Sequence, residues 1–193
     1  KDIAEAINNA MRLIEADYSD LQGILPKNYQ EFEKDLLREL VRVFNKDAVK
    51  KATGDVFGRI YEYFLMKFSM QGAGAQEGGE FFTPPSLVEL IVNFIEPDHG
   101  IIHDPACGSG GMFVQSMKFI ENHHGNKKEV SIYGQEYTAT TYKLAKMNLA
   151  IRGISANFGA VPADTFGKDQ HKDLKADYIM ANPPFNQKDW RAE

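Results

Sequence analysis

Asp104-Pro105-Ala106-Cys107-Gly108-Ser109-Gly110-Gly111 follows the apolar run Ile101-Ile102-His103 and precedes a helical stretch over 112–121; no other segment restricts the fold as strongly. A strand that enters a helix through a glycine turn packs that helix back on a sheet, and a parallel neighbour strand requires such a crossover. Val130-Ser131-Ile132-Tyr133 supplies the neighbour, and 138–152 reads as the next helix, with Leu144, Met147, Leu149 and Ile151 at apolar positions. Asn157 to Val161 and Asp177 to Ala181 are two further strand candidates. The alternation predicts an α/β fold, a partial doubly wound, Rossmann-like sheet.

Residues 1–71 carry helical periodicity only. Ile3, Ala6, Ile7, Ala10 and Ile14 recur at helical spacing, as do Phe32, Leu36, Leu37, Leu40 and Phe44 after a break over Gly23 to Pro26. Phe57, Ile60, Tyr61, Phe64, Leu65 and Phe68 form a third stripe, with Asp55 near its start, and read as core. A glycine-rich stretch over 71–79 then interrupts the pattern. The expected organisation is a helical N-terminal domain over 1–71, a linker over 72–79 and a catalytic domain over 80–193.

Composition narrows the setting. With 43% hydrophobic residues the chain can bury a core, and it holds neither an eighteen-residue apolar run nor a recognisable leader, so neither a membrane span nor a signal peptide is expected. A single Cys excludes an internal disulfide framework and fits a cytoplasmic setting. The net charge of −5 does not suit a chain that must hold a polyanion alone, so a DNA substrate implies a partner or further segment. His99, His103, His123, His124 and His171 have no metal-ligand spacing, and no metal site is expected.

In the glycine turn, Asp104 closes the strand and Gly108, Gly110 and Gly111 let backbone N–H groups at a helix start face a polar ligand, a dinucleotide or S-adenosylmethionine. Glu136 ends the second strand, where a carboxylate can accept from ribose hydroxyls, and Asp164 follows the third, where it can meet an adenine amino group. Asn182-Pro183-Pro184-Phe185 is a different device. An exocyclic amine conjugated to a purine is a poor nucleophile. The Asn182 side-chain oxygen and the Pro183 carbonyl can hold its two N–H groups and favour a pyramidal nitrogen, which is catalysis by orientation and electrostatics. Phe185 can stack on a base swung out of a duplex. Together the two segments point to methyl transfer. Upstream, Thr83 can cap a helix with Pro84 at its first position, or Ser86 and Glu89 can form a capping box. Capping gives no reason for Glu80-Phe81-Phe82 to precede them.

Gly79 to Pro85, Asp104 to Gly111, Gln135-Glu136, Asp164 and Asn182 to Phe185, in that order, resemble the N6-adenine DNA methyltransferases that serve as modification subunits of type I restriction-modification systems. Gly58 and Ile60-Tyr61-Glu62-Tyr63-Phe64 are similar to the same family. The resemblance implies that Glu80, Phe81, Phe82, Thr83, Pro84 and Pro85 line the methionine end of S-adenosylmethionine. It further implies that Ser109, Gly110 and Gly111 pack against that cofactor, that Glu136 holds its ribose, and that Asn182, Pro183, Pro184 and Phe185 receive adenine. Family members work as a second modification subunit paired with the first, a specificity subunit that reads DNA, and in some assemblies a restriction subunit. About four strands are legible against about seven in the family, so the catalytic domain over 80–193 is expected to be truncated at its C-terminus.

Other chemistries fit less well. Cytosine C5 methylation needs a Cys nucleophile, and Cys107 sits inside the cofactor turn. Protein glutamine and RNA guanine amino-methyltransferases share the Asn-Pro-Pro signature, but Glu80 to Pro85 separates them by resemblance. A dehydrogenase leaves Asn182 to Phe185 without a role. A non-enzymatic scaffold would bind cofactor without transferring the methyl group.

Overall fold

The computed structural model describes residues 2–51, 55–71 and 83–184. It divides the chain into two compact units, residues 1–60 and 61–193. The expected linker over 72–79 lies outside the described residues.

In the first unit, α1 (Ile3–Asp17) starts where the Asp2 carboxylate accepts the Ala4 N–H at 3.0 Å. It packs on a 3-10 turn over Tyr29–Glu31 and on α2 (Lys34–Phe44), which the short α3 (Asp47–Lys50) follows. Periodicity had placed Leu36, Leu37, Leu40 and Phe44 on one apolar face. Only Leu37 is buried, while Leu36, Leu40 and Phe44 are 43–50% exposed and Phe32 precedes the helix. The apolar face is real, but α2 has a covering neighbour within this unit along one edge.

Helix α4 (Val56–Gln71) belongs to the second unit from Tyr61 onward, because its side chains there are tied to a later helix. Tyr61 Oη donates to the Leu144 carbonyl at 2.9 Å, and burial pushes this phenol well above the ordinary tyrosine range, so it stays a donor. Of the expected core stripe, Leu65 is buried and Phe57 and Phe64 are about half exposed.

The sheet and its helices follow as α5 (Pro85–Ile95), β1 (Gly100–Asp104), α6 (Gly111–Asn122), β2 (Val130–Gly134), α7 (Ala139–Ala150) and β3 (Tyr178–Ile179). The strands are parallel in the order β2-β1-β3, with Ile102 opposite both Ile132 and Tyr178. Parallel pairing forces the helical crossovers and puts all three carboxyl ends on one edge. Ile102, Phe113, Ile120 and Leu149 are at most 1% exposed, and each such burial stabilises the fold by about 1.5–3 kcal/mol. No helix among the described residues is long and apolar enough to cross a membrane.

Two strand expectations shrink. Asn157 to Val161 becomes one bridge, Tyr133 to Asn157, because the Asn157 side chain accepts the Gly159 N–H at 2.9 Å and Gly159 turns away at φ +73°. Asp177 to Ala181 becomes the two residues of β3, although Asp177 N–H and Met180 N–H still donate to β1 carbonyls at 3.0 Å. At the start of α5, Pro84 takes the cap position and Pro85 the first turn, with no side-chain cap. The Thr83 hydroxyl is engaged elsewhere, and the N–H that Pro85 lacks would have had no helical partner.

Gly100 anchors the opposite edge. It sits at φ +72°, and a Cβ there would overlap Asp177 Oδ2, which accepts the Ile101 N–H at 2.7 Å. Gly100→Ala is expected to cost about 2–3 kcal/mol through left-handed strain and the lost hydrogen bond. Denaturant unfolding of the full-length chain reads this, and an unchanged midpoint would exclude the Asp177 tie as a structural element.

Candidate active site

The turn after β1 is held by hydrogen bonds from its backbone N–H groups to the two residues that follow β2. Cys107 N–H donates to the Gln135 carbonyl at 3.0 Å, and Gly108 N–H donates to Glu136 Oε2 at 3.0 Å. Asp104, 2% exposed, accepts the Ala106 N–H at 3.0 Å. Burial pushes its carboxyl up to about 7; the Ala106 hydrogen bond opposes the rise and the Glu136 charge adds to it. Burial likewise pushes the Cys107 thiol up, which keeps it protonated and unreactive. Gly110 takes the cap position before α6 at φ +80° and has no side chain to cap it, which leaves the first N–H groups of that helix for a ligand. Gly108 lies at φ +54°, and among the described residues no atom beyond its chain neighbours comes within 4 Å of where its Cβ would be. That open space is what a cofactor pressed against the turn needs.

An open cleft, about 620 Å³ with the adjoining open solvent included, lies over this turn. Asp104, Gly108, Ser109 and Gly111 form one wall; Thr83, Pro85 and Asn182 form part of the rest. Asn182 Nδ2 donates to Thr83 Oγ1 at 3.1 Å, joining two segments 99 residues apart. The amide oxygen is not the atom used in that bond and stays an acceptor. Asn182 and Pro183 are exposed and Pro184 is half-buried. Glu80, Phe81, Phe82 and Phe185 lie outside the described residues.

Pro84, Gly110, Glu136, Asp164, Pro183 and Pro184 are not in the cleft wall. Glu136 instead ties two turns, accepting from Gly108 N–H and, at 2.8 Å, from Thr138 N–H. The Asp164 carboxylate accepts the Phe166 N–H at 3.1 Å and so caps its own turn. Among the described residues no three His, Cys, Asp or Glu side chains gather as a metal site.

Several working residues were not assigned a role from sequence. Gln135 is fully buried; its amide donates to the Ala163 and Lys168 carbonyls at 3.0 and 2.8 Å and accepts from Gln170 N–H at 3.0 Å, which shapes the loop carrying Asp164. Thr165 Oγ1 donates to the Pro105 carbonyl at 2.6 Å. Asn148, Glu62 and Gln115 line the cleft. A polar Asn in the register of Ala145 and Leu149 was the one signal available.

A parallel sheet whose central strand ends in a glycine turn beneath an open cleft is an α/β domain of Rossmann-like type. Within that class the particular family is clear: a profile of the N-6 DNA methylase family matches residues 52–193, and the chain belongs to that family. It is 45% identical to the type I restriction enzyme HindI methylase subunit of Haemophilus influenzae, over 97% of this chain and 44% of that protein. It is 41% identical to the MjaIX methylase subunit of Methanocaldococcus jannaschii, over 98% of this chain and 34% of that protein. The chain thus spans less than half the length of these relatives. The fold is similar to that of the type I restriction-modification methyltransferase subunit of Streptococcus thermophilus, with a TM-score of 0.71, 21% identity, and coverage of 96% of this chain and 41% of that one.

Proposed function

We propose that this chain carries the cofactor cleft and amine-presenting loop of a type I modification subunit that methylates N6 of adenine in DNA. The observation that carries the reading is the Asn182 to Thr83 hydrogen bond, which holds the Asn-Pro-Pro loop at the mouth of the cleft over the glycine turn. When bound, S-adenosylmethionine supplies an electrophilic methyl carbon on a sulfonium. Asn182 Oδ1 and the Pro183 carbonyl accept the two adenine N–H groups, localise the nitrogen lone pair and aim it into the cleft. The proton that the methylated nitrogen sheds leaves along one of these hydrogen bonds to solvent, since Asn182 and Pro183 are exposed.

Fit to the cofactor rests on the free space at Gly108, the uncapped start of α6 and the carboxylate of Asp104 in a wall that contains no Lys or Arg among the described residues. Glu136, just past the carboxyl end of β2, is assigned to the ribose, from whose hydroxyls a carboxylate can accept. Asp164 is assigned to the adenine end, and Glu80, Phe81 and Phe82 to the methionine end. A net charge of −5 favours assembly with a specificity subunit and a second modification subunit for DNA binding, with a restriction subunit as a further partner.

The test is transfer of a labelled methyl group to DNA by the full-length protein, with and without its specificity subunit, followed by nucleoside analysis. N6-methyladenine formed with the partner present is expected; label in protein or RNA instead would overturn the reading. Glu136→Ala should weaken cofactor binding by about 1–3 kcal/mol, measured by equilibrium dialysis. Unchanged affinity would remove Glu136 from the site.

A further inference from the structure

Asn148 is 1% exposed within α7, and a buried amide needs partners on both its atoms. Its Nδ2 donates to the Ser109 carbonyl at 2.7 Å. Arg152 Nη1 donates to Asn148 Oδ1 and, at 3.1 Å, to the Asn148 backbone carbonyl. The Arg152 side chain, 6% exposed, sends Nη2 to Glu62 Oε1 at 2.9 Å. Glu62, Asn148 and Ser109 all line the cleft, so this chain of hydrogen bonds leaves the wall at α4 and returns to it at the glycine turn.

The Ser109 carbonyl and the Gly110 N–H belong to one planar peptide unit. Asn148 holds the carbonyl, and the Gly110 N–H donates to the Cys107 carbonyl at 2.8 Å, so the unit is pinned at both ends. Pinning matters here because Gly108 and Gly110, at φ +54° and +80°, have no Cβ to restrict them. A turn made of glycines has to obtain its order from hydrogen bonds, and any disorder left in it is lost on binding and subtracts from affinity.

We propose that Asn148, oriented by Arg152 and Glu62, is a positioning residue that fixes the Ser109 peptide and thereby sets cofactor affinity; the inference rests on the cofactor reading given above. Only a primary amide serves, since it donates on one side and accepts on the other. Asp keeps the Arg152 partner but sets a carboxylate oxygen against the Ser109 carbonyl. Lys in place of Arg152 cannot fork between Asn148 and Glu62.

The experiment measures S-adenosylmethionine affinity by dialysis, and KM and kcat with DNA, in the full-length protein with its specificity subunit. Asn148→Asp is expected to raise Kd and KM for the cofactor about tenfold or more. At saturating cofactor kcat stays within about threefold, and thermal unfolding shows an intact fold. Glu62→Gln, whose amide oxygen still accepts from Arg152, should restore most of the affinity that Glu62→Ala loses. Wild-type affinity in Asn148→Asp, or a fall in kcat with KM unchanged, overturns the proposal. So does a Glu62→Gln variant as weak as Glu62→Ala, because the charge would then act on the ligand directly. A wild-type protein that binds no cofactor removes the functional reading as well; one that binds it equally with and without the Asn148 amide removes only this inference.

Discussion

Asn182→Ala, made in the full-length protein with its specificity partner, is expected to reduce methyl transfer to DNA by about a thousandfold or more while leaving cofactor affinity within about fivefold. The size follows from what the amide replaces. An adenine amino group shares its lone pair with the ring, and no side chain on the cleft wall among the described residues is basic enough to deprotonate it. Activation therefore depends on acceptors that hold its hydrogens in place. Ala deletes one of the two acceptors and also the donor to Thr83, so the loop is released at the same time. Thr83→Val separates these contributions: it removes the 3.1 Å tie but keeps the Asn182 oxygen, and should cost far less than Asn182→Ala. Single-turnover kinetics with saturating cofactor distinguishes them. Cofactor binding lost together with transfer in Asn182→Ala would mean that the residue serves the cofactor rather than the amine.

What sequence made legible here is what backbone geometry forces. The central strand, the turn and the start of α6 were readable because a glycine at φ +80° and a strand-to-helix crossover admit few alternatives. Partners far away in sequence were not. Asn148 meets a backbone carbonyl 39 residues upstream, and Gln135 meets carbonyls 28 and 33 residues downstream. Any residue type can present a carbonyl, so neither pairing leaves a trace in composition or spacing. Periodicity also marks which face of a helix is apolar without saying what covers it, as Leu36 and Leu40 show beside the buried Leu37. Thr83 failed as a cap for a related reason. Its hydroxyl had one local use in sequence, as a cap, and took another that only the fold supplies, the Asn182 amide.

Asp104→Asn is expected to stabilise the cofactor-free protein, increasingly so as pH rises. Folding buries this carboxyl completely and raises it from 3.8 to about 7, so the native state holds its proton more tightly than the unfolded chain. Between those values the native state binds more protons, and stability falls with rising pH. The penalty is absent below the unfolded value, builds between about 4 and 7, and is complete above 7, where the shift corresponds to about 4 kcal/mol. Asn has no charge to bury and can still accept the Ala106 N–H through its oxygen. The stability gap between variant and wild type should therefore widen by about 2–3 kcal/mol between pH 5 and pH 8 in denaturant unfolding. A gap independent of pH would show that the carboxylate carries no such cost. The same substitution should weaken cofactor binding at pH 8, because a cationic ligand end gains most from a carboxylate that the apo protein holds at a disadvantage. Bound cation lowers the Asp104 value, so cofactor affinity in the wild type should rise as pH passes through 7 and be flat in Asp104→Asn. On the proposed cofactor reading, this buried acid at the end of the central strand gives up stability for binding.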